Sequence, residues 1–285
     1  MFKLLNQVQH YPWGSTSEIP RLLKIKNNAQ KPYAEMWMGI HPNAVSKAIV
    51  SGKTHDLDKL IESDRNYYLG SRRTFPFLLK ILAAAKPLSI QLHPNKIQAE
   101  SGYQRENAAG IPQDHFKRNY RDSNHKPEII CALTPFHALK GFRTHDQIIR
   151  NFGRISSPVL AEPIRCFSQQ PNAAGLEIFF RTLLNLTEKE TRQLYADFKR
   201  SPRRSGGAEE KWIDRLAEIY PDDIGVFSPY LLNLVTLDPG QALFIQAGEL
   251  HAYLEGTGIE LMASSDNVLR GGLTKKHVDK QELLR

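Results

Sequence analysis

Between Phe75 and His93 the chain is strongly apolar and then alternates, with Leu88, Ile90 and Leu92 interleaved with Ser89, Gln91 and His93. A period of two predicts a strand that presents Ser89, Gln91 and His93 on one face. Pro94-Asn95 closes it with turn chemistry. Three polar groups facing the same way require either solvent or a polar site. From about Phe142 to Tyr220 the spacing becomes helical. Thr187-Glu-Lys-Glu190 reads as a capping box, in which the Thr hydroxyl and the Glu three residues on satisfy free amides, and a helix through about Lys199 follows. Ser201-Pro-Arg-Arg-Ser-Gly-Gly207 reads as a polar loop. Trp212, Ile213, Leu216, Ile219 and Tyr220 then recur at helical spacing until Pro221 stops them. Strand character returns over Leu232–Leu237, turns at Asp238-Pro-Gly240 and resumes over Ala242–Ile245. The pattern predicts a mainly β protein with an α insertion, residues 1–141 and 227–285 forming two strand-rich blocks and 142–226 the inserted helices.

With 285 residues, the chain can bury a sizeable core. Its 38 Lys and Arg stand against 30 Asp and Glu, a formal charge of +8, dispersed along the chain. Such a surface tolerates an anionic ligand, but no basic helix or aromatic-basic strand predicts nucleic-acid binding. The most apolar stretch, 76–92, is interrupted by Lys80 and Lys86 and falls short of the roughly 20 residues that span a bilayer, so no membrane insertion is expected. The first residues lack the apolar region of a secretory signal, so a cytoplasmic location is the expectation. Cys131 and Cys166 have no C-x-x-C spacing and are expected to be buried thiols.

Three segments carry candidate chemistry. Gln91-x-His93 points two side chains to one side of a strand, about 7 Å apart at their α-carbons, close enough to converge on one ion or simply to hydrogen-bond. Tyr120-Arg-Asp-Ser-Asn-His-Lys-Pro-Glu128 gathers His125, Lys126 and Glu128 at the mouth of the apolar run Ile129–Leu133, where a carboxylate must find a cation or shift its pKa. Third, Gly240-Gln-Ala-Leu-Phe-Ile-Gln-Ala-Gly248-Glu-Leu-His251 sets a histidine just beyond a glycine turn, from which it can aim into a barrel mouth.

Gly240, Gly248 and His251 stand as in the second cupin motif, G-x5-P-x-G-x2-H, with Gln246 at the usual proline. The segment from His251 through Glu260, Ser265-Asp-Asn-Val-Leu-Arg270 and Gly-Gly-Leu-Thr-Lys-Lys276 resembles more specifically the signature of type I mannose-6-phosphate isomerases. Residues 120–128 are similar to that family's Y-x-D-x-N-H-K-P-E. Tyr11-Pro-Trp-Gly14, Ala34-Glu-Met-Trp-Met-Gly39, Ser89-Ile-Gln-Leu-His-Pro-Asn95 and Glu106-Asn-Ala-Ala-Gly-Ile-Pro112 also resemble family blocks, in order from Phe2 onward. The resemblance implies a cupin jelly-roll barrel plus a helical domain. It further implies one Zn²⁺ per chain, held by Gln91, His93, Glu128 and His251, and interconversion of mannose 6-phosphate and fructose 6-phosphate through an enediol. Arg270 is implied as a catalytic residue, the competing reading being a salt bridge to Asp266 or Glu260. Lys126, His125 and Asp266 are the expected proton movers. Ser89, Lys126, Tyr253, Glu260 and Lys276 are expected to line the sugar-phosphate pocket. Where the family has R-A-G-x-T-P-K this chain has Arg270-Gly-Gly-Leu-Thr-Lys-Lys276, a change expected to loosen that loop. The family also continues into a second jelly roll that this sequence does not show, which would leave a surface exposed and predicts dimerisation or poor solubility; a monomer or weak homodimer is expected. The alternative function is a metal-binding cupin that binds sugar phosphates without turning them over.

Overall fold

A computed structural model describes residues 2–202 and 206–285. Arg203, Arg204 and Ser205, the centre of the loop expected at 201–207, lie outside the described residues, as does Met1.

The fold is mainly β with a helical insertion, as the alternation and the cupin resemblance predict. Its hub is the strand His251–Ala263, thirteen residues long. Its first half pairs with Ile90–Leu92 and Phe136–Phe142, its second half with Phe77–Ala84 and Glu128–Ala132, all antiparallel. The strand changes neighbours where its register shifts between Tyr253 and Glu255, just before Gly256, whose φ is +131° and where an added Cβ would lie 2.7 Å from the Phe136 ring. From the hub the sheet extends through Phe77–Ala84 to Glu35–Met38 and Gln7–Gln9, and through Phe136–Phe142 to Leu232–Leu237. Ala242–Ile245 pairs with Glu128–Ala132, and Leu269–Gly272 with Ile90–Leu92. A small separate sheet joins Lys3–Leu5, Lys47–Val50 and Lys53–Asp56.

The predicted helices form where their caps stand. Glu188–Arg200 starts at Thr187, whose hydroxyl accepts from the Glu190 amide while the Glu190 carboxylate accepts from that of Thr187. Ala208–Ile219 ends just before Pro221. With His145–Phe152, Pro158–Gln169, Ala173–Leu184 and the short turns Ile224–Phe227 and Ser228–Leu231, these helices make a block inserted between Phe136–Phe142 and Leu232–Leu237. Their apolar faces meet in an aromatic core of Phe152, Phe167, Phe179, Phe198, Phe227 and Tyr230, all buried. Each such ring is worth about 1.5–3 kcal/mol by burial.

One expectation needs correcting. Cys131 is half-buried, but Cys166 is exposed, because it shares the solvent-facing stripe of Pro158–Gln169 with Glu162, whose Oε1 lies 3.2 Å from its sulfur. On the barrel, Phe244, Ile259 and Leu261 stand on the two strands that flank Glu128–Ala132, with 50%, 37% and 38% of their surface exposed, an uncovered apolar patch. No helix of the described residues is long and apolar enough to cross a membrane.

Candidate metal and sugar-phosphate site

The sheet register assembles the site. Gln91 on Ile90–Leu92 has His251 as its partner on one side and Arg270 on the other. Glu128 opens the strand Glu128–Ala132 opposite Met262. His93 follows its strand directly and is buried. Three of these side chains converge, since ligand atoms of His93, Glu128 and His251 all lie within 4.8 Å of one another.

The protonation of this cluster follows from its hydrogen bonds. His93 Nδ1 is 2.8 Å from the Asn267 carbonyl and His251 Nδ1 is 2.9 Å from that of Glu249. A carbonyl can only accept, so both Nδ1 atoms carry the proton and both Nε2 lone pairs face inward. They face Glu128, with His93 Nε2 3.3 Å from Oε2 and His251 Nε2 3.0 Å from Oε1. Burial, reinforced by Lys126, pushes His93 down to about 4. Three acceptors packed together out of water are unfavourable without a cation between them. Two imidazoles and a carboxylate, with the Gln91 amide beside them and no thiolate near, suit Zn²⁺.

Gln91, Glu128 and His251 open onto a cavity of about 660 Å³. Ser89, Lys126, Tyr253, Glu260, Arg270 and Lys276 line it too, so every residue expected in the sugar-phosphate pocket faces one space. Tyr253 donates its hydroxyl to Glu128 Oε1 at 3.0 Å. Burial, then Glu128 and Glu260, keep that phenol protonated. Lys126 Nζ approaches His93 Nε2 to 3.3 Å, and burial lowers its pKa.

Arg270, also on the cavity wall, is half-buried. Among the described residues no ion pair forms between it and a carboxylate. The acids once paired with it as alternatives are engaged elsewhere, Asp266 by His41 at 3.0 Å and Glu260 by Lys80 at 2.9 Å. Burial and then Arg121 lower the Arg270 pKa, while burial, Arg270 and Arg121 lower that of Lys276. Positive charge thus accumulates there without a balancing acid, as an anion site requires.

Two expected proton movers are not brought into the cavity. His125 is exposed, and Asp266 faces a separate recess beside His41, Arg121 and Asp122. Conversely, the cavity wall holds a buried charge group that the sequence reading missed. Lys80 Nζ sits 2.9 Å from Glu260 and 3.5 Å from Glu35, whose other oxygen accepts from the Trp37 indole at 2.7 Å. Burial alone would lower the Lys80 pKa, but Glu260 and Glu35 raise it and keep the ammonium charged. The available signal was a lysine at the centre of an apolar strand, read only as an obstacle to membrane insertion.

The family model "Phosphomannose isomerase type I, catalytic domain" matches residues 1–145, and "Phosphomannose isomerase type I, helical insertion domain" matches 156–232. The chain belongs to the type I phosphomannose isomerases. It is 45% identical over its full length to the mannose-6-phosphate isomerase of Salmonella typhimurium, covering 74% of that protein, and 36% identical to that of Homo sapiens, covering 71%. Among solved structures, a mutant phosphomannose isomerase from Salmonella typhimurium superposes with a TM-score of 0.94 at 45% identity, over all of this chain and 73% of the other. A Salmonella typhimurium mannose 6-phosphate isomerase bound to substrate, fructose 6-phosphate, and zinc superposes at 0.92 with 46% identity, over 100% and 73% of the two chains.

Proposed function

We propose that this chain is a zinc-dependent aldose–ketose isomerase that interconverts D-mannose 6-phosphate and D-fructose 6-phosphate through an enediol. The observation that carries this reading is the presence, at one cavity, of an acceptor-only His93–Glu128–His251 cluster and the carboxylate-free cations Arg270 and Lys276. The relatives' names and the zinc- and fructose 6-phosphate-bound neighbour support it. In this assignment residues 1–141 and 227–285 form the catalytic barrel and 142–226 the inserted helical domain.

Gln91, His93, Glu128 and His251 would hold the ion. When bound, it supplies Lewis acidity to the substrate's carbonyl and hydroxyl oxygens. Lys126, whose pKa burial depresses, is placed to move the proton between C1 and C2. Arg270 aims a fork of donors at oxygen that gains negative charge as the enediol forms. Lys276 meets the phosphate. Ser89, Tyr253 and Glu260 offer hydrogen bonds to sugar hydroxyls, and Lys80 fixes Glu260 in place. Asp266, held ionised by His41, contributes charge from outside the lining.

The test is to incubate the zinc-loaded chain with mannose 6-phosphate in D₂O and follow the products by NMR. Fructose 6-phosphate should appear with deuterium at the exchanged carbon, and free mannose should react about a hundredfold more slowly, having lost the binding energy of the phosphate. A folded, zinc-loaded protein that binds mannose 6-phosphate and never converts it would establish the binding-only alternative instead.

A further inference from the structure

We infer that Asp223, at the end of the helical block, is a positioning residue that sets the Arg270–Lys276 loop against the cavity. Its carboxylate reaches across to the barrel: Oδ2 accepts from the Thr274 amide at 3.0 Å, while Oδ1 accepts from the Gly225 amide at 2.7 Å and caps the turn Ile224–Phe227. Thr274 passes the constraint on, its Oγ1 accepting from the Lys276 amide at 3.1 Å. One carboxylate is therefore two hydrogen bonds from the backbone of a cation expected to meet the phosphate.

The contact is built into the chain's local geometry. An added Cβ at Gly225 would lie 2.8 Å from Asp223 Oδ1 and 2.9 Å from the Leu273 nitrogen, and one at Gly272, where φ is +138°, would lie 2.9 Å from Asp223 Oδ1. Only glycines let the two segments approach this closely. Leu273, between Gly272 and Thr274, is buried with φ at +54°, a conformation an L-residue holds only when its surroundings impose it. The hydrogen bond to Thr274 comes immediately after it. One residue group away, Tyr220 donates its hydroxyl to the Pro87 carbonyl at 3.3 Å, a second stitch between the helical block and the barrel at the cavity mouth. The paired glycines and the missing proline, expected to loosen this loop, are thus offset by a tether from another part of the fold.

This inference rests on the isomerase reading for its kinetic consequence, but the tether can be tested without it. In Asp223→Asn one of the two amides must face an NH₂ group, so the cap or the tether is lost. Trypsin cleavage after Lys275 and Lys276, both exposed, should accelerate about tenfold in the zinc-loaded variant. KM for mannose 6-phosphate should rise about tenfold with kcat within about threefold and zinc content unchanged. In a Lys276→Ala background the added effect of Asp223→Asn on KM should shrink to below about twofold. Thr274→Ala, which removes only the second hydrogen bond, serves if Asp223→Asn does not fold and should raise KM about threefold. Unchanged trypsin cleavage, an unchanged KM in folded variants, or an effect undiminished by Lys276→Ala would each overturn the assignment. An inactive wild type whose cleavage still depends on Asp223 would remove the isomerase reading and leave the tether standing.

Discussion

The barrel wall and the helical block treat charge differently. In the helical block the buried interior is largely aromatic, its buried acids, Asp197 and Glu210, accept from the Ser157 and Tyr230 hydroxyls, and ion pairs such as Arg181–Glu177 and Arg165–Glu162 lie on the surface, where they are worth little. In the barrel, His93, Glu128, His251, Lys80, Glu35 and Glu260 are all less than a tenth exposed. Burying so many ionisable groups destabilises a fold unless each finds a partner, and the inward-facing atoms of His93, Glu128 and His251 crowd one another with, among the described residues, only Tyr253 and Lys126 to donate to them. The difference teaches where stability and chemistry are kept: the helices hold the domain's apolar packing, and the barrel holds an electrostatic arrangement that is completed by ligands.

The largest effect should follow from Glu128→Gln. Zinc content and turnover should fall together, turnover by about a thousandfold or more. Because the amide can accept from Tyr253 and donate to a neighbouring Nε2, the metal-free variant should melt no lower than the metal-free wild type, and the rise in melting temperature on adding zinc should vanish. A metal-free Glu128→Gln protein that melts well below the wild type would show that the cluster stabilises the barrel on its own. Arg270→Ala should lower kcat by about a hundred- to a thousandfold with zinc retained, as loss of a donor to developing charge does; an effect confined to stability would place Arg270 in the framework instead. Phe198→Ala should give the reverse signature, a loss of about 3 kcal/mol in denaturant unfolding with zinc content and KM unchanged.

Much of this comparison was legible in the sequence. Local signals were sufficient for the helices Glu188–Arg200 and Ala208–Ile219, which are bounded by a capping box and by Pro221, and for the strand that aligns Gln91 with His93. What escaped is set by register between distant segments. Lys80 becomes a cavity residue because it pairs with Glu260 on one side and Trp37 on the other. Asp266 faces His41 across 225 residues of chain, and Asp223 meets Thr274 across 51. Periodicity places a side chain on a face, but it does not say which distant strand lies beside that face.

Two smaller effects complete the comparison. The hydrogen bond from His41, opposed by burial, lowers the Asp266 pKa. A depressed carboxyl contributes stability above its unfolded value and loses that contribution as pH falls through the folded one. Melting temperature should therefore drop as pH falls below about 4, less so in His41→Ala; identical profiles would mean that the pair contributes nothing. Cys166→Ser, on the exposed helical stripe, should change unfolding free energy by no more than about 0.5 kcal/mol.

The most direct measurement is zinc stoichiometry and mannose 6-phosphate turnover followed on the same sample through chelation and zinc readdition. The cluster of His93, Glu128 and His251 predicts one zinc per chain, activity that disappears as the metal leaves, and recovery in proportion to the zinc that returns. Full turnover by a chain stripped of metal would contradict it.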